Sequence, residues 1–165
     1  MDRKLETPIV KDILIKKVIA FTPDFTSVDA IECFNKYKIS SAPVINDRSE
    51  VIGYLSESDC IKHLSNCLFF DESRNRAINL IMSKEVAVAE NAWDIFMLEN
   101  FFVSNQLRSA PVVDSENHLI GIVTRRDALL ALEKCLQGRE EYKREIKTPV
   151  ELNIRQRIRM IVNRV

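Results

Sequence analysis

At 165 residues, with 24 basic and 24 acidic side chains, 46% apolar residues and three glycines, the chain has the composition of a globular protein and not of a disordered one. A chain this long buries roughly 70% of its unfolded surface, enough for one ordinary domain or two small halves around a shared core. Zero net charge excludes a global field drawing the molecule to nucleic acid or anionic lipid.

The start, MDRKLETPIV, has no long apolar run and no small-residue cleavage pattern, and no stretch approaches bilayer length. The expected location is therefore the cytoplasm, with no membrane span.

KVIAF, residues 17–21, reads as a short strand. Pro23 and Asp24 form a turn, and Val28, Ile31 and Phe34 recur at helical spacing. APVI and VIGYL flank the polar NDRSE as a hairpin, and Ile61, Leu64 and Leu68 continue as a helical stripe. The unit is β-α-β-β-α.

After a polar joint at Asp71 to Asn75, the order repeats. VAV is followed by a helix carrying Ile95, Leu98 and Phe102, with its start at Asn91 or Asp94. Then come APVV, a turn at DSENH, LIGIV, and a helix with Leu129, Leu132 and Leu136. Gly138 is read as a helix stop. Beyond the charge-mixed REEYKREIK, Thr148 as N-cap, Pro149 at the first helical position and Glu151 predict a C-terminal helix. Its stripe is Val150, Ile154, Ile158, Ile161 and Val165. The basic Arg155, Arg157, Arg159 and Arg164 share the segment, which is expected to pack on protein and to act in assembly or docking, with a membrane surface or nucleic acid as the competing partner.

A shift of 68 positions lays SAPVINDRSEVIGYLSESD on SAPVVDSENHLIGIVTRRD, superimposing Pro43 on Pro111, Gly53 on Gly121, Ser56 on Thr124 and Asp59 on Asp127. Repeated units of this size need a neighbouring copy to cover their apolar faces, so function is expected where the copies meet. The expected division is 8–70, 74–137 and a helical extension over 138–165.

The chemistry concentrates in Gly-x-x-Ser/Thr-x-x-Asp, which occurs as GYLSESD and GIVTRRD, each where a strand passes into a helix. Free N–H groups and the dipole at a helix N-terminus favour an anion, and the hydroxyl of Ser56 or Thr124 can join such a site. A carboxylate one turn further in can accept hydrogen bonds from a ribose diol. The same residues also spell a capping box, in which hydroxyl and carboxylate serve the helix's own donors; the two roles are compatible.

Cys33, Cys60, Cys67 and Cys135 form no short-spaced pair, and His63 and His118 lie far from any cysteine couple, so no metal site is expected. Cys67 and Cys135 read as small buried hydrophobes. Trp93 reads as a core or dimer contact. There is no GxxxxGK loop, no Gly-x-Ser-x-Gly elbow and no His-Glu-x-x-His helix, so no enzyme class gains support.

The β-α-β-β-α unit, the Ala-Pro-Val strand and the duplicated Gly-x-x-Ser/Thr-x-x-Asp ending resemble a cystathionine-β-synthase (CBS) domain pair, or Bateman module, over about residues 8 to 137. The resemblance implies an α/β (α+β) fold of two repeats packed with pseudo-twofold symmetry. It implies a non-enzymatic, regulatory sensor of an adenosine-containing ligand, foremost AMP, ADP or ATP and after them S-adenosylmethionine or NAD, with no required cofactor.

By that likeness Asp59 and Asp127 take the ribose, Ser56 and Thr124 the phosphate, and the segments Ser41, Ala42, Pro43 and Ser109, Ala110, Pro111 help hold the base. Arg108, Arg125 and Arg126 have no counterpart in the first copy, so the second site is the expected phosphate site. A homodimer and a regulated partner protein are implied as well. The rival expectation is a ligand-free interaction module of the same fold.

Overall fold

The computed structural model describes residues 7–146. The expected C-terminal helix over 148–165 lies outside the described residues. A short helix α1 (Val10–Ile13) precedes α2 (Ser27–Tyr37), β1 (Ser41–Ile45), β2 (Val51–Ser56) and α3 (Glu57–Phe70). A 3₁₀ turn at Ile78–Leu80 leads into β3 (Ala89–Glu90), α4 (Ile95–Asn105), β4 (Ser109–Val113), β5 (Leu119–Thr124) and α5 (Arg125–Ile146).

Each copy has one antiparallel hairpin in the same register: Ser41 faces Ser56 and Val44 faces Gly53, as Ser109 faces Thr124 and Val112 faces Gly121. In the second copy β3 adds to β4 in parallel. KVIAF in the first copy makes only the matching parallel bridge, Phe21 with Val44. The strand expected at VAV forms immediately after it, at Ala89–Glu90.

The copies trade their leading segments. Ile15 bridges Ile122 of the second copy's hairpin, and Ser83, in the second copy's leading segment, bridges Tyr54 of the first. Val10 is fully buried in the second copy's core, whereas Ile78, 68 positions on, is fully buried in the first copy's. Motif glycines make room for this crossing. A Cβ on Gly53 would meet Met82 Sδ at 2.3 Å, and one on Gly121 would meet Leu14 Cδ1 at 2.4 Å and the Ile15 carbonyl oxygen at 2.9 Å. The hairpin turns lock together too, with Val51 N–H donating to Asn117 O (3.1 Å) and Leu119 N–H to Ser49 O (2.9 Å).

Helical periodicity places α4 correctly: Ile95, Leu98 and Phe102 are all buried, and Asp94 caps the helix by accepting from Phe96 N and Met97 N. It misplaces α3 and α5. Ile61, Leu68, Leu129 and Leu136 are 63%, 89%, 65% and 61% exposed, while the core side is made by Cys60, His63, Ala128 and Ala131. Small residues let these helices lie close to the sheets, and the larger apolar residues are left on the outside.

Gly138 does not stop α5, which runs on through Ile146. No glycine among the described residues has positive φ. One helical glycine costs only about 1 kcal/mol relative to alanine, and helix-forming neighbours on both sides carry the turn through. Cys67 and Cys135 are half-buried rather than buried. Trp93 packs edge-on to Phe101 against the second core, with ring centroids 5.3 Å apart. No described helix is long and apolar enough to cross a membrane.

Candidate ligand clefts between the two copies

At α3 the Ser56 hydroxyl donates to Asp59 Oδ2 (2.6 Å), Ser56 N–H donates to the same oxygen (3.0 Å), and Asp59 N–H returns a bond to Ser56 Oγ (3.3 Å). Thr124 and Asp127 repeat the pattern at 2.6, 2.9 and 3.2 Å. Both motifs are therefore capping boxes. So is Thr26 with Asp29 at the start of α2, which lines none of the clefts described below. Capping alone thus does not mark a site. The surroundings of Ser56 and Thr124 set them apart, since each opens on a cleft walled by the other copy. Among the described residues, Oδ1 of Asp59 and of Asp127 makes no hydrogen bond, leaving an acceptor for a ligand.

The first cleft, of about 550 Å³, brings Ser56 and Asp59 of the first copy to Arg108, Ser109 and Pro111 of the second. The second, of about 310 Å³, sets Thr124 against Ser41 and against the Lys17–Ile19 and Lys38–Ser40 segments of the first copy. Volumes of this order are those of small-molecule sites. Each cleft pairs one copy's hydroxyl with the other copy's pre-proline segment, a crossed pairing that reading each motif alone does not reveal.

Other expected residues fall elsewhere. Arg108 borders both clefts and is the only cation lining the first among the described residues, so it does not belong to the second site alone. Arg125 turns back to donate from Nε (2.8 Å) and Nη2 to the Leu107 carbonyl, bracing the start of α5 on the loop before β4. Arg126 borders neither cleft. Asp127 opens on a separate cavity of about 460 Å³ with Asp12 and Lys134. Ala42 and Ala110 are fully buried in the two cores, and Pro43 is buried as well; strand alternation turns the alanines inward.

Three cleft residues carried no sequence signal: Tyr54, Lys17 and Glu85. The Tyr54 hydroxyl lies 3.0 Å from Ser41 Oγ and 2.9 Å from Ser109 Oγ, and the two serines are 3.1 Å apart. This triangle joins the clefts on the axis between the copies. Tyr54 corresponds to Ile122 in the second copy, so no repeated pattern announces it.

The CBS domain family matches the chain twice, at residues 10–66 and 77–134. The chain belongs to the CBS domain family. The Methanocaldococcus jannaschii protein MJ1426 is 31% identical over 156 residues, covering 77% of this chain and 92% of its own. The inosine-5′-monophosphate dehydrogenase of the same organism is 30% identical over 118 residues, 72% of this chain, but only 22% of the enzyme's length is matched. Among solved structures, CBSX2 of Arabidopsis thaliana in complex with AMP superimposes with a TM-score of 0.68 at 23% identity, over 76% of this chain and 96% of that one. The CBS domain pair of MJ0100, in complex with 5′-methylthioadenosine and S-adenosylmethionine, gives 0.64 at 22%, over 81% and 99%. These likenesses establish the paired-CBS fold.

Proposed function

We propose that this CBS pair is a regulatory module that binds an adenosine-containing ligand in the clefts between its copies and passes occupancy to a partner protein. The observation that carries this reading is the crossed construction of the clefts. A helix N-terminus with its hydroxyl from one copy, joined in the first cleft by the Asp59 carboxylate, faces the pre-proline segment of the other, so a ligand filling a cleft touches both copies at once. Such a ligand shifts the relation between them by its differential affinity for the two arrangements.

The AMP complex of CBSX2 and the S-adenosylmethionine complex of MJ0100 support adenosine as the common element. Asp59 is the proposed ribose acceptor of the first cleft, whereas Asp127 opens on the separate cavity and lines neither cleft; Ser56 and Thr124 are the hydroxyls beside the ligand's 5′ substituent, and AMP, ADP or ATP the foremost nucleotides. The signal leaves through assembly. The outward stripes Ile61–Leu68 and Leu129–Leu136 are related by the same shift of 68, so a second copy can cover both with one twofold interface.

Thermal denaturation in the presence of AMP, ADP, ATP, NAD and S-adenosylmethionine tests the binding. A ligand at 100 times its Kd adds about 2.7 kcal/mol of stability. A flat response to every compound, with none released on denaturing the purified protein, favours the ligand-free interaction module instead.

A further inference from the structure

The two clefts are related by the internal repeat, yet their charges are opposed. Lys17 and Lys38 of the second cleft become Glu85 and Gln106 in the first. Thr124 is followed by Arg125 and Arg126, whereas Ser56 is followed by Glu57 and Ser58. The first cleft is lined by Glu57, Asp59 and Glu85, with Arg108 as its single cation among the described residues. Lys17, Lys38 and Arg108 line the second, which has no carboxylate among its described lining residues. Low-dielectric cleft walls focus the fields of these side chains.

We infer that the clefts sort adenosine ligands by the charge of the 5′ substituent. The second takes a phosphorylated nucleoside, and the first takes an adenosine whose 5′ substituent is cationic, such as a sulfonium. This rests on the reading that the clefts bind adenosine at all. A phosphate in the first cleft would meet Glu57 and Glu85, with the ribose acceptor Asp59 adding its charge beside them, against one guanidinium. In the second it meets two ammonium groups and that same guanidinium, with the hydroxyl of Thr124 beside them. A sulfonium finds the reverse. The larger volume also lies on the acidic side, where a sulfonium ligand carries an additional side chain.

Calorimetric titration of AMP and S-adenosylmethionine, singly and together, tests the inference, with neutral 5′-methylthioadenosine as control. Wild-type protein is expected to take one equivalent of each, with neither displacing the other. Lys17→Glu should weaken AMP about tenfold or more and leave S-adenosylmethionine within about twofold; Glu85→Lys should do the opposite and affect 5′-methylthioadenosine least. Both residues are exposed, so the fold should survive either change, and unchanged melting temperatures would verify it. Raised salt should weaken both charged ligands and spare the neutral one. Competition between AMP and S-adenosylmethionine for one equivalent, or equal effects of both variants on both ligands, would overturn the sorting while leaving the adenosine reading intact. Absence of any adenosine binding would remove the reading itself.

Discussion

Gly53 and Gly121 belong to a motif that suggests phosphate binding, but both work through space rather than through a ligand. Each clears the path of a segment arriving from the other copy, and the obstacles differ in stiffness. Met82 can swing its thioether away from a new methyl group, whereas the Ile15 carbonyl is backbone. Gly121→Ala should therefore cost about 1–3 kcal/mol and Gly53→Ala distinctly less, as read by urea unfolding. Cys60 offers a second residue-scale test. Burial first, and then the neighbouring Asp59 and Glu57, push its thiol up to about 11, far above the pH at which exposed cysteines form thiolate. Iodoacetamide at pH 8 should leave Cys60 unmodified in the native protein and alkylate it after denaturation; rapid native labelling would contradict the packing around α3.

Among the elements, the join between the copies is held by contacts that no periodicity predicts. Ser27, fully buried at the start of α2, donates to Arg74 O (2.6 Å) and accepts from Arg76 N (3.1 Å), and His63 Nε2 lies 3.1 Å from the same Arg74 carbonyl. Ser27→Ala would remove both of these part-buried hydrogen bonds and should cost about 0.5–1.5 kcal/mol for each, measurable as a lowered midpoint with an unchanged slope in urea. The corresponding residue in the second copy is Ile95, so the clamp is a feature of the join and not of the repeat. Helices α3 and α5 raise the question of assembly. Ile61→Glu combined with Leu129→Glu should convert a dimer to monomer in light scattering without lowering the melting temperature by more than that dissociation requires. An unaltered mass would exclude those stripes as the interface.

At the scale of the whole molecule, a two-stranded and a three-stranded half become one body through exchanged segments, interlocked turns and the Tyr54–Ser41–Ser109 triangle. Tyr54→Phe removes the central hydroxyl from that triangle. The expected loss is about 0.5–1.5 kcal/mol per hydrogen bond, with far-ultraviolet circular dichroism unchanged. A neutral result would mean that water replaces the hydroxyl fully and that the axis contributes little to holding the copies together.

The sequence by itself determined the duplicated unit, its hairpins, the helices that bury Ile95, Leu98 and Phe102, and the hydroxyl–carboxylate pairs at Ser56–Asp59 and Thr124–Asp127. These depend on local periodicity, on turn residues and on spacing within a few positions, which a linear reading contains. Only the tertiary structure decided which copy completes which cleft, that Arg108 borders both, that Arg125 braces a loop, that Ile61 and Leu129 face outward, and that α5 continues past Gly138. All but the last turn on which surfaces meet after the leading segments cross over. That crossing brings together residues far apart in sequence, and its free energy comes from burying Val10 and Ile78 in the opposite cores, a gain that no window of neighbouring residues records.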